Sequence, residues 1–88
     1  MARARLAPRT PLAFRLQACV DRLEISYTDL ATMLGQKPNN ISRWLTGRTT
    51  PLAENLAALA EALDTTSKAL LRPLTKQEER RFLARLRP

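Results

Sequence analysis

Gly35 separates two short apolar patterns, and this arrangement limits the possible fold more than any other part of the chain. The apolar residues at helical spacing are Leu30, Met33 and Leu34 before the glycine, and Ile41, Trp44 and Leu45 after it. Glycine takes a left-handed backbone without steric penalty, so Gly35 ends the first helix, and Pro38 suits the first position of the second. The stretch 27–46 therefore predicts two short helices joined by one tight turn.

The rest of the chain is predicted to form further helices around this pair. Thr10 suits the N-cap of a first helix, with Pro11 at its first position, and Ser26 the N-cap of the second. The first helix is predicted to bury Leu12, Leu16, Cys19 and Leu23, and to point Arg15, Gln17 and Arg22 elsewhere. A fourth helix is expected from about residue 51 to residue 63, with Leu52, Leu56, Leu59 and Leu63 at helical spacing. Thr66 caps a short fifth helix, and Thr75 with Glu78 forms a capping box that opens a last one. The fold class is therefore all-α.

The charge of the chain favours a polyanionic partner. The formal net charge is +7 and the sequence pI is about 11.1, which indicates nucleic acid first and an anionic membrane surface second. Residues 1–9 hold three arginines and no acidic residue, and residues 76–88 hold five basic residues against two acidic ones. The basic excess thus lies at the two ends. A protein with a merely basic, solvated surface is the alternative.

The cysteine and histidine content excludes several classes of site. Cys19 is the single cysteine and the chain has no histidine, so neither an intrachain disulfide nor a Cys/His metal cluster can form. Cys19 lies in an apolar helical pattern and is predicted to be a small core residue. No apolar run approaches transmembrane length. We expect no cofactor, no enzymatic activity, no membrane partner and a reducing, cytoplasmic setting.

The residues around the turn carry a family resemblance. In chain order they are Leu30, Ala31, Gly35, Ile41, Trp44, Gly47, Arg48 and Pro51. A small residue at position 31 allows the two helices to approach closely, and inward-facing Ile41 and Trp44 leave the residues between them outside. The pattern resembles the lambda-repressor-like helix-turn-helix family, which includes Cro and the Xre-type regulators, over roughly residues 12–71. The resemblance implies a five-helix DNA-binding bundle, here followed by an extra C-terminal helix.

The resemblance also implies roles for the residues in and around the recognition helix, residues 38–46. Those expected to approach base edges are Pro38, Asn39, Asn40 and Arg43. Those expected to contact phosphates are Tyr27, Lys37, Ser42, Thr46, Arg48 and Thr49, together with Arg3 and Arg5 near the N-terminus. Amide side chains can pair with adenine and a guanidinium can pair with guanine. The alternatives are helix capping or solvation for Asn39 and Asn40, and a surface cation for Arg43.

Three positions depart from the family pattern. Tyr27 stands where the family usually has a glutamine that clamps a phosphate, and Val20 replaces a common arginine of the first helix. Tyr27 still has a hydroxyl that can donate to a phosphate. Pro38 removes a side-chain hydrogen bond from the front of the recognition helix, so a base contact there is missing or apolar.

The chain divides into three predicted parts. Residues 1–9 form a flexible basic arm that either lies along DNA or is a loose terminus. Residues 10–72 form the DNA-binding domain. Residues 73–88 form a C-terminal helix whose apolar residues either close the core or make a twofold dimer contact. The residues expected in that dimer contact are Leu74, Phe82, Leu83 and Leu86.

The function that follows is sequence-specific transcriptional regulation on double-stranded DNA. The expected form is a homodimeric repressor that inserts its recognition helix into the major groove. The alternative is an antitoxin or a partner adaptor, in which the C-terminal helix binds another protein and DNA binding serves autoregulation.

Overall fold

The computed structural model describes residues 7–86, which form six helices and no strand. In chain order the helices are α1 Pro11–Leu23, α2 Tyr27–Leu34, α3 Pro38–Thr46, α4 Ala53–Ala62, α5 Ser67–Leu71 and α6 Lys76–Leu86. The all-α prediction is confirmed. None of these helices combines the length and the apolar character that crossing a bilayer requires.

The predicted helix starts are confirmed by their capping bonds. The hydroxyl groups of Thr10, Ser26 and Thr66 each accept a hydrogen bond from the backbone N–H three residues later, at 3.1, 3.0 and 3.1 Å. At the start of α6, the Thr75 N–H donates to the Glu78 carboxylate at 3.0 Å and the Glu78 N–H donates to the Thr75 hydroxyl at 3.1 Å. This reciprocal pair is the predicted capping box.

Two glycines end the helices on either side of the turn. Gly35 after α2 has φ 64° and Gly47 after α3 has φ 79°, both in the left-handed region. The Gln36 N–H then donates to the Ala31 carbonyl at 2.9 Å, which closes the end of α2. The left-handed residues reverse the chain within a few positions, and α2 and α3 therefore pack against each other directly.

One apolar core joins the first five helices. Its members include Leu16, Val20, Leu30, Ala31, Ile41, Trp44, Leu45 and Leu59, all at most 8% exposed. Ala31 supplies the small side chain predicted between α2 and α3, and Trp44 is the core residue predicted from its spacing. The core holds α3 by one face and leaves the other face outside.

The buried face of α1 differs from the prediction. Gln17 is fully buried and Arg15 is 8% exposed, whereas Leu23 is 38% exposed. Both polar side chains are compensated: the Gln17 amide donates to the Leu45 carbonyl of α3 at 2.7 Å, and Arg15 bonds to the far end of the chain. A buried polar group that forms such hydrogen bonds costs little folding free energy. The side of α1 that faces the core can therefore include both Arg15 and Gln17.

Two apolar residues that were predicted to lie on the inner faces of their helices are exposed. The fourth helix begins at Ala53 and not near residue 51, so Leu52 precedes it and is 68% exposed. Met33 of α2 is 56% exposed, while its neighbours Leu30 and Leu34 pack on the core. Met33 borders an open groove between α2 and α4, which is lined also by Ala58 and Glu61.

The C-terminal helix α6 closes one side of α1. The rings of Phe14 and Phe82 meet edge to face with centroids 5.8 Å apart. Beside them, the Arg15 guanidinium donates to both carboxylate oxygens of Glu78 at 3.0 and 3.1 Å, and to the carbonyls of Arg72 and Pro73. Phe82 is 9% exposed. It is therefore a packed residue, in agreement with the alternative in which α6 closes the core, and its place in a dimer contact stays a prediction.

Residues 7–9 pack against the domain, which corrects the predicted extent of the flexible arm. Pro8 is buried, and the Arg9 N–H donates to the Thr46 carbonyl at 3.0 Å. This bond ties the chain to the end of α3. Arg3 and Arg5, the arm residues expected to contact DNA, lie outside the described residues.

Candidate nucleic-acid interface

The outward face of α3 and the turn before it form a continuous polar surface. Lys37, Pro38, Asn39 and Arg43 are exposed along it, while Ile41, Trp44 and Leu45 on the opposite side are buried. The exposed and the buried side chains lie on opposite sides of α3, because residues at i, i+3 and i+4 share one side of a helix. The side chains predicted to approach base edges thus lie on one surface, held by the core contacts of the other.

The front of α3 presents its N-terminus without a side-chain cap. Pro38 occupies the first turn, and the N-cap residue Lys37 makes no side-chain capping bond. The Lys37 carbonyl instead accepts from the Asn40 and Ile41 N–H groups at 3.0 and 3.4 Å. The positive end of the helix and the exposed Lys37 and Asn39 side chains therefore face solvent together, which favours an approaching phosphate.

Asn40 is partly engaged within the turn. It is half-buried, and its amide nitrogen donates to the Gln36 side-chain oxygen at 3.1 Å. The bond uses one of two amide N–H groups and leaves the oxygen available as an acceptor. Gln36 was not among the predicted site residues, and the only sequence signal for it is its position four residues before Asn40. The pair fixes the amide at the edge of the reading surface.

Thr46 does not reach this surface. It is 4% exposed, and its hydroxyl donates to the Ser42 carbonyl at 2.7 Å. The prediction of a phosphate contact by Thr46 is therefore wrong, because the hydroxyl is used inside its own helix. Ser42 is half-buried, with its carbonyl occupied by that bond.

Tyr27 also differs from the expectation. Its ring packs against the core from the start of α2, and its hydroxyl oxygen is shielded from solvent. The predicted donation from this hydroxyl to a phosphate is wrong for the structure as it stands, because no path from solvent reaches the oxygen. Tyr27 acts here as a packing residue that holds α2 in place.

The loop after α3 adds cations beside the recognition helix. Arg48 and Thr49 are exposed, and their N–H groups both donate to the Arg43 carbonyl, at 2.9 and 3.4 Å. Exposed Arg9 is joined to the same end of the helix through its backbone bond to Thr46. Arg9 was not among the predicted phosphate contacts, since nothing local in the sequence links residue 9 to residue 46. The interface thus has Lys37 at the front of α3 and Arg48 and Arg9 at its rear.

Comparison with known proteins supports this reading of the fold. A family model described as helix-turn-helix, of the Cro/C1 type, matches residues 16–70. No curated protein matches the chain. A solved structure described as the crystal structure of apo-HppE is 26% identical with a TM-score of 0.63, over 76% of this chain and 38% of that one. The chain therefore spans well under half the length of that protein.

The family match extends over α1 to α5 and includes every residue that shapes the turn, among them Ala31, Gly35, Ile41 and Trp44. The match confirms the family resemblance from which the roles of the residues around α3 were predicted. Helix α6 lies outside the matched residues. More than half of the chain is matched. The chain therefore belongs to the Cro/C1-type helix-turn-helix family of DNA-binding transcription regulators.

Proposed function

We propose that this regulator is a sequence-specific repressor that binds double-stranded DNA as a homodimer through the major groove. The observation that carries the proposal is the two-sided character of α3. Buried Ile41, Trp44 and Leu45 hold the helix rigidly, and exposed Asn39 and Arg43 project from the other side. Rigid presentation of a few polar side chains is what recognition of base edges requires.

Base discrimination is assigned to Asn39, Asn40 and Arg43. Arg43 has the two parallel donors that match guanine N7 and O6, and the amides of Asn39 and Asn40 can pair with adenine. The Gln36 contact restricts the Asn40 amide to one orientation, which favours a defined base contact over an adaptable one. Pro38 offers only an apolar contact, such as one with a thymine methyl group.

Affinity is assigned mainly to contacts with phosphates, because these do not depend on sequence. The candidates among the described residues are Lys37, Ser42, Arg48, Thr49 and Arg9. They bracket α3, so they can hold both strands that border the groove while the helix lies between them. Arg3 and Arg5 would extend the set if the residues before position 7 follow the DNA backbone.

Repression by occlusion is the mode of action that fits this unit. The helices of residues 7–86 share one packed body, and such a body bound across a promoter would block other proteins from that DNA. A homodimer would cover two half-sites about one helical turn apart. The support for a dimer is the pair of leucines that α6 leaves exposed, Leu83 at 49% and Leu86 at 45%. Leu74 is half-buried and lines the same groove as Leu83.

Selection of bound sites from a random pool of duplex DNA tests the proposal. We expect enrichment of a palindrome whose half-sites are about 10 base pairs apart, centre to centre. An asymmetric enriched site would reject the homodimer and keep sequence-specific binding. A pool that shows no enrichment after several rounds would reject sequence-specific recognition.

A further inference from the structure

A polar pocket of about 310 Å³ lies where α1, α5 and the start of α6 meet. The groups that matter for its chemistry are Arg15, Cys19, Arg22, Thr65, Arg72 and Glu78. Three of these six are arginines and one is an acid. The DNA-binding role described above does not use any of them.

Arg15 and Glu78 form a fixed part of the pocket wall. The two carboxylate oxygens of Glu78 face the guanidinium at 3.0 and 3.1 Å, and the Arg15 side chain is 9% exposed. Arg15 also donates to the Arg72 carbonyl at 3.2 Å and to the Pro73 carbonyl at 2.9 Å. The positive charge of Arg15 and the negative charge of Glu78 cancel, so this ion pair offers no net charge to a ligand.

The other two arginines supply positive charge that the described residues do not compensate. Within residues 7–86, neither Arg22 nor Arg72 forms an ion pair, and both are exposed enough to reorient. Thr65 also lines the pocket. The pocket therefore holds two uncompensated positive charges beside a neutral pair.

The arginines of the pocket affect the pKa values of two neighbouring groups, the Cys19 thiol and the Glu78 carboxylate. Burial raises the pKa of the Cys19 thiol, and Arg22 and Arg15 both oppose that rise. The pKa of Glu78 is lowered, first by the Thr75 backbone N–H and further by Arg15 and Arg72. Arg15 therefore acts on both groups, Arg22 on Cys19 and Arg72 on Glu78, and all five residues line the same pocket.

The pocket is on the far side of α1 from the recognition helix. Arg15, Cys19 and Arg22 follow one another at i, i+4 and i+7 and share one face. Gln17, which donates to the Leu45 carbonyl of α3, lies two residues after Arg15 and therefore about 200° around the helix axis. An anion in the pocket would not be a phosphate of DNA bound by α3.

We propose that this pocket binds a small dianion, with Arg22 and Arg72 holding its two charges and Thr65 donating a hydrogen bond. A volume of about 310 Å³ suits a compact ligand. A phosphate group and a short dicarboxylate share the required charge, and the experiment distinguishes them. The site goes beyond the proposed DNA-binding function and does not depend on it.

Isothermal titration of the full chain at constant ionic strength tests the site, with inorganic phosphate and succinate as separate probes in a chloride buffer. We expect binding of one probe at one site per chain. Arg22→Gln and Arg72→Gln should each weaken it by about tenfold or more, because each removes a charge-assisted contact. Arg80→Gln removes the same charge from the exposed surface of α6 and should change the affinity by less than about twofold. Absence of binding by both probes, or equal losses in all three variants, would overturn the proposal.

Alkylation of Cys19 by neutral iodoacetamide provides a second measurement. The thiol lines the pocket and is the single cysteine of the chain, so a bound dianion should slow its reaction. The probe should slow alkylation in the wild type and leave it nearly unchanged in Arg22→Gln, with circular dichroism confirming that the variant is folded. Binding with an unchanged alkylation rate in the wild type would place the anion elsewhere and reject this site.

Discussion

Arg43 projects from the middle of the exposed face of α3, where a guanidinium can donate two parallel hydrogen bonds to guanine. We expect Arg43→Ala to weaken binding to the selected site by about 1–3 kcal/mol and to leave binding to a scrambled duplex nearly unchanged. Fluorescence anisotropy on the two duplexes measures both values. Arg80→Ala, which removes an exposed cation of α6, is the matched control. Equal losses on the selected and scrambled duplexes would assign Arg43 to phosphate contact and not to base recognition.

Glu78 links folding stability to pH through its bonds to Thr75 and Arg15. The Thr75 backbone N–H lowers the pKa of Glu78 below its ordinary value of 4.5, and Arg15 lowers it further. A lowered folded-state pKa means that the stabilisation is present above the ordinary value and is lost as the pH falls through the folded-state value. We expect Glu78→Gln to lower the free energy of unfolding by about 1–3 kcal/mol at pH 7.

Urea denaturation of the wild type and Glu78→Gln between pH 7 and pH 3 checks this expectation. The difference between the two proteins should shrink as the pH falls below about 4.5, because the Glu78 carboxylate of the unfolded chain is protonated there and that of the folded protein at a lower pH. Glu79→Gln changes the neighbouring exposed carboxylate and should show little effect at any pH. A difference that stays constant down to pH 3 would contradict the assigned role of the Glu78 charge.

The sequence predicted those residues whose partners are close along the chain. The caps at Thr10, Ser26 and Thr66 follow from bonds that span three residues, and residue types alone indicate such bonds. The burial of Arg15 and Gln17 could not be predicted in this way. Their partners lie 57 or more and 28 residues away, so only the tertiary fold brings a carbonyl to each polar group and lets it enter the core.

Gly35 and Gly47 end neighbouring helices in the same backbone conformation but in different surroundings. A Cβ at Gly35 would meet no atom within 4 Å, whereas a Cβ at Gly47 would lie 3.1 Å from three atoms of Thr10. We expect Gly35→Ala to lower the free energy of unfolding by roughly 1 kcal/mol, the cost of a left-handed alanine. Gly47→Ala should cost about 2 kcal/mol or more, because Thr10 must also move.

Urea denaturation of the two variants against the wild type measures this difference. Gly35→Asn is a useful reference, because asparagine tolerates the left-handed region better than alanine. Equal losses for the two alanine variants would show that Thr10 moves aside for the added methyl group without a measurable cost.

At the scale of elements, the sequence predicted the α2–turn–α3 unit closely and the surroundings of α1 and α6 less well. The unit depends on local signals: Gly35 sets the turn, Pro38 starts α3, and Ile41 and Trp44 define its inner side. The position of α6 depends on Phe14 and Arg15, which precede the matched residues 16–70, and on Phe82 and Glu78, which follow them. A pairing between two ends of a chain has no periodic signal, and so the sequence left open whether Phe82 closes the core or lies in a dimer contact.

The oligomeric state is a property of the whole molecule and depends on the surface that α6 leaves open. We expect light scattering at micromolar concentration to give about twice the chain mass of 9.9 kDa. A Leu83→Glu, Leu86→Glu double variant should give the monomer mass, because each charge would be buried unpaired in the contact. Leu52→Glu changes a leucine that is 68% exposed elsewhere and should remain dimeric. A wild-type monomer, with and without DNA, would reject the homodimer and favour a protein partner at α6.

The high positive charge of the chain should appear in the salt dependence of DNA binding. Removal of residues 1–6 deletes Arg3 and Arg5. For every phosphate that these arginines neutralise, the deletion should reduce the slope of log affinity against log salt by about 0.9. Arg3→Gln with Arg5→Gln in the full chain should give the same change, which separates charge from length. An unchanged slope in both proteins would show that the residues before position 7 do not contact DNA.

The hydrogen bond from Arg9 to Thr46 determines where a foreign sequence can be attached without interfering with DNA. A tag or reporter joined ahead of residue 7 would begin beside the end of the recognition helix, close to the surface that we propose binds the duplex. A basic tag there would add its own attraction to phosphates, and a folded reporter would obstruct the groove. A label attached after α6 avoids both effects but lies next to Leu86 of the proposed dimer contact, so a small dye suits that end better than a folded reporter or an immobilising surface.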